Sequence, residues 1–284
     1  MLENFEQPRT ISLPWGNHSL DIRYIDFGKG SVNLYLHGWG QNHGAFLPLI
    51  DALKDQGRHV ALDFPGFGDS SFPPDVWGVS DYAHFVQKFI RHMEWESCFL
   101  ITHSFGGRVA LRFANQWPDQ VHGLFLIAAA GLPNPIPFRK RIRIQTIRTL
   151  ARSAQRWIPG TLGEKIKQSL YDKIASRDYK QAGVLRPIFV KVVNDDVSDI
   201  LPAIPCPVTL LYGSEDTETP PSIGYRMQQR LPHAQYIEIP GFDHYSILTR
   251  GRHQVGHQIR TFLQQIQGSR SMQASESITN GMNS

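Results

Sequence analysis

The sequence of 284 residues has only two cysteines, Cys98 and Cys206, far apart and with no CxxC or histidine-rich spacing near either. That excludes a disulfide framework and a zinc site of the usual kind. Cys98 opens an apolar strand and reads as a small core residue. No apolar run approaches the ~20 residues of a membrane-spanning helix. Glu3, Glu6 and Arg9 stand where a signal peptide would have its apolar core, so stable membrane insertion is not expected and a cytoplasmic location is the default. No internal repeat is visible, and no His, Cys or carboxylate cluster has metal-ligand spacing. The glycines of "FPGFGDS" are not followed by Lys-Ser/Thr, so they do not make a phosphate loop. Neither a metal nor an organic cofactor is expected.

The formal net charge is +4. Residues 131–200 hold 14 Lys/Arg against 6 Asp/Glu, so they carry a surplus of +8 and the remainder is net −4. A basic surplus confined to one segment argues against nucleic-acid binding through a general basic surface, and for a local preference near one element.

What is present is an alternation of short apolar runs and helical patterns. "RTISLPWG", "SLDIRYIDFG" and "VNLYLHG" read as two antiparallel strands leading into a buried one, and "RHVALDFPG" as the next buried strand. Between the last two, Phe46, Leu49, Ile50 and Leu53 fall on one helix face. Tyr82, Phe85, Val86, Phe89, Ile90 and Met93 do the same behind a candidate N-cap at Ser80. Strand and helix continue through "CFLITHS" and "VHGLFLIAAAG", stop, and resume at "CPVTLLYG", a helix near 221–231, "QYIEIPG" and a last helix around 253–266. The pattern predicts an α/β fold with a mostly parallel, doubly wound sheet covered on both faces. Residues 1–130 and 205–267 form the core, 131–204 an inserted helical cap, or lid, and 268–284 a polar, disordered tail.

In open parallel sheets, ligands bind at the carboxyl ends of the strands. "FLITHSFGGRVALRF", residues 99–113, puts Ser104 at the bend where a strand becomes a helix, with Gly106 and Gly107 allowing close approach. A serine hydroxyl needs a base. His244, in "PGFDHYS" after the last strand, supplies one, and Asp216, in "LLYGSEDTETP" after the penultimate strand, can fix its tautomer. Attack on a carbonyl also needs donors for the developing oxyanion. The backbone N–H of Phe105, directly after the serine, and that of Trp39, in "LHGWG", are the candidates.

"HGWG" at 37–40, "LDFPGFGDS" at 62–70, "THSFGG" at 102–107, "YGSED" at 212–216 and "GFDHYS" at 241–246, in this order, resemble the α/β-hydrolase fold superfamily over roughly residues 10–267. The resemblance implies Ser104, Asp216 and His244 as the catalytic triad and Trp39 and Phe105 as the oxyanion hole. It makes Asp63 the structural aspartate of its motif. Two positions depart from the family: Thr102 replaces the first glycine of G-x-S-x-G, adding a β-branch at a crowded turn, and Asp243 stands where glycine is usual. Side chains adjacent in sequence rarely meet face to face, so Asp216 is preferred over Asp243 as the partner of His244. Glu215 and Glu218 read as solvated loop, His37 as a hydrogen-bonding brace of the oxyanion loop, His103 as shaping the elbow, and His43 as an ordinary helix-start residue.

The expected activity is that of a serine esterase: hydrolysis of a carboxylic ester or thioester through an acyl-enzyme. Alternatives are a carbon–carbon bond hydrolase of the same fold, acting on a vinylogous diketone, and a non-catalytic ligand-binding protein of that fold. Dehalogenases and epoxide hydrolases of the fold use aspartate at the nucleophile, so Ser104 argues against both. The "HGWG" start also resembles esterases that demethylate a carrier-bound pimeloyl ester. The partner is thus a small-molecule acyl ester or thioester. The arginine-rich stretch with Arg139, Lys140, Arg141, Arg143, Arg148, Arg152 and Arg156 has a plain reading as a solvated face opposite Ile144, Ile147, Leu150 and Trp157. Its sharper reading is attraction of an anionic acyl donor.

Overall fold

A computed structural model describes residues 7–133 and 177–282, with isolated positions between these stretches. Strands β1 (Arg9–Trp15), β2 (His18–Gly28), β3 (Val32–Leu36), β4 (Arg58–Leu62), β5 (Cys98–His103), β6 (Val121–Ile127), β7 (Val208–Gly213) and β8 (Ala234–Ile239) form one sheet. Their spatial order is β1-β2-β4-β3-β5-β6-β7-β8. β2 runs antiparallel to both β1 and β4, and every later pairing is parallel. Gly16, at φ 56, opens the two-residue turn between β1 and β2 in the left-handed backbone that such hairpins favour. Pro14, which has no N–H to donate to a ladder, sits on the edge strand β1, which has no second neighbour to need one.

The period of two along each strand divides the core. On β5, Cys98 and Leu100 join one apolar cluster, while Phe99 and Ile101 join the other. On β6, Leu124 and Leu126 face the first and Phe125 and Ile127 the second. Helices α1 (Leu47–Ala52) and α2 (Val79–His92) connect the central strands, and α3 (Phe105–Gln116) follows β5. The first cluster is covered by α2 and α3, and the second by α1 and the last helix. Each fully buried large apolar side chain contributes about 1.5–3 kcal/mol. The N-cap of α2 is Gly78 and not Ser80: Asp81, three residues on, accepts the Gly78 N–H at 2.6 Å, and this carboxylate does the capping that the sequence assigned to a hydroxyl.

Between β6 and β7 the described residues hold α4 (Arg177–Gln181), α5 (Arg186–Val193) and 3₁₀ turns at Gly183–Leu185 and Leu201–Ala203, with no strand among them. The stretch with Arg139, Lys140, Arg141, Arg143, Arg148, Arg152 and Arg156, and the apolar face expected opposite it, lies outside the described residues. After α6 (Pro221–Gln228), β8 and the short α7 (Ser246–Thr249), α8 spans Arg252–Met282. The tail expected to be disordered from Gly268 is therefore helical as far as Met282. A glycine inside a helix costs only ~1 kcal/mol, α8 contains no proline, and the Ser269 hydroxyl donates across Gly268 to the Gln265 carbonyl at 2.9 Å.

The parallel part of the sheet starts at β3, and the chain goes to one side of it for β4 and to the other for β5. That reversal leaves a crevice beyond the carboxyl ends of β3 and β5. Residues 37–41 leave β3 there, and Ser104 leaves β5 beside them.

Candidate active site

Ser104 sits at φ 49, ψ −108, a strained backbone for a residue with a side chain, between the last residue of β5 and the first of α3. Its N–H donates to the Ile127 carbonyl at 3.0 Å, and its own carbonyl accepts from Gly107 and Ala130, each at 3.1 Å. The bend is thus tied to β6 and to the start of α3. A Cβ on Gly106 would overlap the Leu36 carbonyl oxygen, and one on Gly107 would press into Ala129. Both glycines are required by close approach. Thr102 is wholly buried beside them, and its Oγ1 has no hydrogen-bond partner.

The loop after β3 is braced from beneath. His37 Nε2 accepts the Phe64 N–H at 2.9 Å, so the ring proton must lie on Nδ1, which donates to the Gly38 carbonyl at 2.7 Å. Burial drives the His37 pKa down to about 4, which keeps this neutral tautomer. Gln41 Oε1 accepts the Gly38 N–H at 2.9 Å. Among the described residues, neither the Trp39 N–H nor the Phe105 N–H has a protein acceptor, and Phe105 is the first residue of α3, where helices leave donors open.

Asp216 and His244 meet at the ends of β7 and β8. His244 Nδ1 donates to Asp216 Oδ2 at 2.7 Å, and both residues are buried. Asp216 Oδ1 accepts the N–H groups of Glu218 and Thr219 at 2.9 and 2.8 Å. The Thr219 hydroxyl lies 3.0 Å from Asp216 Oδ2, 3.1 Å from His244 Nδ1 and 2.9 Å from the Ala128 carbonyl. Asp243, the neighbour of His244, turns elsewhere: its Oδ1 accepts the N–H groups of Tyr245 and Ser246 at 3.0 and 2.8 Å, capping α7. Those bonds to Ser246 hold its carboxyl below the usual range.

Ser104, Phe105, Trp39, Thr219 and His244 share the wall of one cavity of about 260 Å³. Among the described residues, no hydrogen bond joins Ser104 to His244, although both line this cavity. The Trp39 ring packs edge-on against Phe105 at 5.8 Å, Phe67 at 4.9 Å and Phe189 of α5 at 5.0 Å between centroids. The wall is therefore apolar around a few polar groups.

The match to known proteins falls on this frame. A model of the alpha/beta hydrolase family matches residues 34–255. The chain belongs to the alpha/beta hydrolase family. A pimeloyl-[acyl-carrier protein] methyl ester esterase of Shewanella woodyi is 29% identical over 247 residues, covering 81% of this chain and 93% of that protein. A serine hydrolase-like protein of Danio rerio is 35% identical over 131 residues, which are 44% of this chain and only 39% of the zebrafish protein. Among solved structures, a thermophilic esterase from Thermogutta terrifontis superposes with a TM-score of 0.68 at 24% identity, over 92% of this chain and 99% of that one.

Four of the five residues singled out from the sequence of this alpha/beta hydrolase, Ser104, His244, Trp39 and Phe105, lie on the one cavity, and Asp216 stands behind His244. His103 proves to be more than a neighbour of the serine. Its Nε2 lies 2.9 Å from the His244 carbonyl and its Nδ1 3.0 Å from the Gln41 side-chain oxygen, so the ring lies between the loops after β3 and β8, with one N–H to donate to one of the two when neutral. Burial pushes its pKa well below the ordinary value. His43 is not an ordinary helix-start residue either: its backbone N–H and its Nδ1 both meet Asp63 Oδ1, at 2.6 and 2.7 Å. Burial alone would raise the Asp63 carboxyl, but the bonds to His43 outweigh it and hold it low. Thr219 and Arg108 were missed. The only trace of Thr219 in the sequence is its place three residues after Asp216, and Arg108 reads there as one polar position on a helix. Among the described residues no group of three or more His, Cys, Asp or Glu could hold a metal, and no helix is long and apolar enough to cross a membrane.

Proposed function

We propose that this hydrolase-family chain is a serine esterase that cleaves a carboxylic ester or thioester. Ser104 Oγ attacks the substrate carbonyl while His244 Nε2 takes its proton. Asp216 holds the Nδ1–H tautomer and stabilises the imidazolium. The negative oxygen is received by the N–H groups of Trp39 and Phe105, each such donor being worth a few kcal/mol. His244 returns the proton to the leaving group, and the resulting acyl-enzyme is hydrolysed by water activated at the same histidine. The observation that carries this reading is the buried 2.7 Å bond from His244 to Asp216, with His244 opening onto the cavity that holds Ser104.

The esterase names of the relative and of the solved structure support the same class of substrate. Residues 131–204 act as a cap over the site, a role supported by Phe189 and Val192 of α5 on the cavity wall. The decisive assay is hydrolysis of p-nitrophenyl esters from acetate to palmitate by wild type and Ser104→Ala. Serine-dependent turnover, falling by roughly 10⁴-fold or more in the variant, is expected. Turnover that survives in Ser104→Ala would refute the assignment.

A further inference from the structure

The cavity that holds Ser104 and His244 also has a buried cation on its wall. Arg108 lies four residues beyond Ser104, one turn along α3, and is 7% exposed. A guanidinium taken out of water is costly unless it is paired and hydrogen-bonded. Among the described residues Arg108 is neither paired with a carboxylate nor fully bonded. Its Nη1 donates to the Val192 carbonyl near the end of α5, while its Nε is buried and has no partner. The acidic residues whose charges act on it are committed elsewhere. Asp195 pairs with Arg112 at 3.0 Å, and Asp196 accepts the N–H and hydroxyl of Ser198 at 2.9 and 2.6 Å. Burial lowers the Arg108 pKa to about 10, so the group is cationic at neutral pH.

We infer that Arg108 seats an anionic group of the substrate, a carboxylate carried on either the acyl or the alcohol side of the scissile ester. This rests on the esterase reading of the same cavity. The planar guanidinium fork suits a carboxylate, which can accept two parallel N–H bonds and supply the missing counter-charge. Asp178 and Glu218 also line the cavity, but Glu218 is exposed and Asp178 partly so. Water weakens their repulsion, whereas Arg108 acts from a medium of lower dielectric. At about 260 Å³ the described cavity is small, so the carboxylate and the ester must be separated by a short chain. A residue that only clipped α5 through Val192 would affect every substrate alike, and this difference is what the experiment reads.

The test pairs isosteric esters: monomethyl glutarate against methyl 5-methylhexanoate for an acyl-side carboxylate, and O-acetylglycolate against isobutyl acetate for an alcohol-side one. Wild type should prefer the anionic member of one pair by at least about tenfold in kcat/KM, the size expected of one charge-assisted hydrogen bond. Arg108→Gln should remove most of that preference, and Arg108→Lys, which keeps the charge but not the fork, should keep part of it. Thermal melting establishes that the variants are folded. A second readout needs no chemistry: calorimetric titration of valerate and of valeramide into wild type and Arg108→Gln, with carboxylate binding expected only where Arg108 is present. Arg108-dependent binding without turnover of any ester would keep the anion seat and overturn the esterase. Turnover of both members of each pair at equal rates, or an equal loss of both in Arg108→Gln, would overturn the anion seat and leave the esterase standing.

Discussion

The two sides of the site are held by different physics. On the serine side, position comes from backbone sterics: Ser104 occupies a strained φ of 49, and Gly106 and Gly107 let α3 lie against β3 and β6 with no room for a methyl group. On the Asp216 and His244 side, position comes from polar side chains. Asp216 gathers two backbone N–H groups on one oxygen and His244 and Thr219 on the other, while His103 reaches from the end of β5 to the His244 carbonyl. Sterics give a serine that cannot drift. Hydrogen bonds give a histidine that stays oriented yet can still exchange protons. The first side should fail by displacement, and the second by loss of a donor or gain of a proton.

Gly106→Ala attacks the steric side directly. The added methyl meets the Leu36 and His37 carbonyls, so the oxyanion loop must move away from the elbow. A displacement of this kind costs roughly 100-fold in rate, and kcat on a p-nitrophenyl ester should fall by about that factor, with a lower melting temperature. Wild-type kcat in this variant would mean that the elbow is not held by close approach.

Acid should attack the polar side instead. Protonating His37 would abolish its acceptance of the Phe64 N–H, and protonating His103 would charge a buried ring. A buried histidine whose folded pKa is lowered binds fewer protons than the unfolded chain. The stability it contributes is complete above the unfolded value of 6.5 and is lost as pH falls towards its folded value, about 4 for His37. Chemical denaturation between pH 7 and pH 4 should show a falling unfolding free energy, with His37 accounting for about 3 kcal/mol at most. A flat profile through that window would contradict the neutral brace.

Thr219→Val tests a single donor. It removes the hydroxyl from Asp216 Oδ2 and His244 while keeping the shape. A loss of about tenfold in kcat with little change in KM is expected, as is a shift of the acidic limb of the kcat profile, and Thr219→Ser should restore both. An unshifted pH profile would make Thr219 a packing residue. The smallest effect belongs to Thr102→Val, which replaces a buried, unpartnered hydroxyl with a methyl group. It should raise stability by about 1 kcal/mol, or a few degrees in Tm, and a decrease would mean that the hydroxyl is satisfied after all.

Much of this arrangement was legible in the chain because local signals agree with the fold. Period-two strands such as Cys98–His103, the glycines after Ser104, and the order of Ser104, Asp216 and His244 all depend on short-range chemistry. The misreadings share one cause. Ser80 looked like a cap because hydroxyls often are, but Asp81 reached Gly78 first. Gly268 looked like a stop because glycine disfavours helix, but one glycine is a weak barrier without a proline beside it.

By itself, then, the sequence determined the fold class and marked Ser104, His244 and Asp216 as the candidate nucleophile, base and partner, because strand period, turn residues and motif order are local properties of the chain. Only the tertiary structure decided that Asp243 caps a helix while Asp216 holds His244, that His103 lies between two loops, that Thr219 completes the carboxylate's partners, and that Arg108 faces the cavity as a buried cation lacking a counter-charge among the described residues. Each of these depends on which groups meet after residues as far apart as His103 and His244 are brought together, and on how deeply they are buried when they meet. Neither meeting nor burial is a property of residues one at a time.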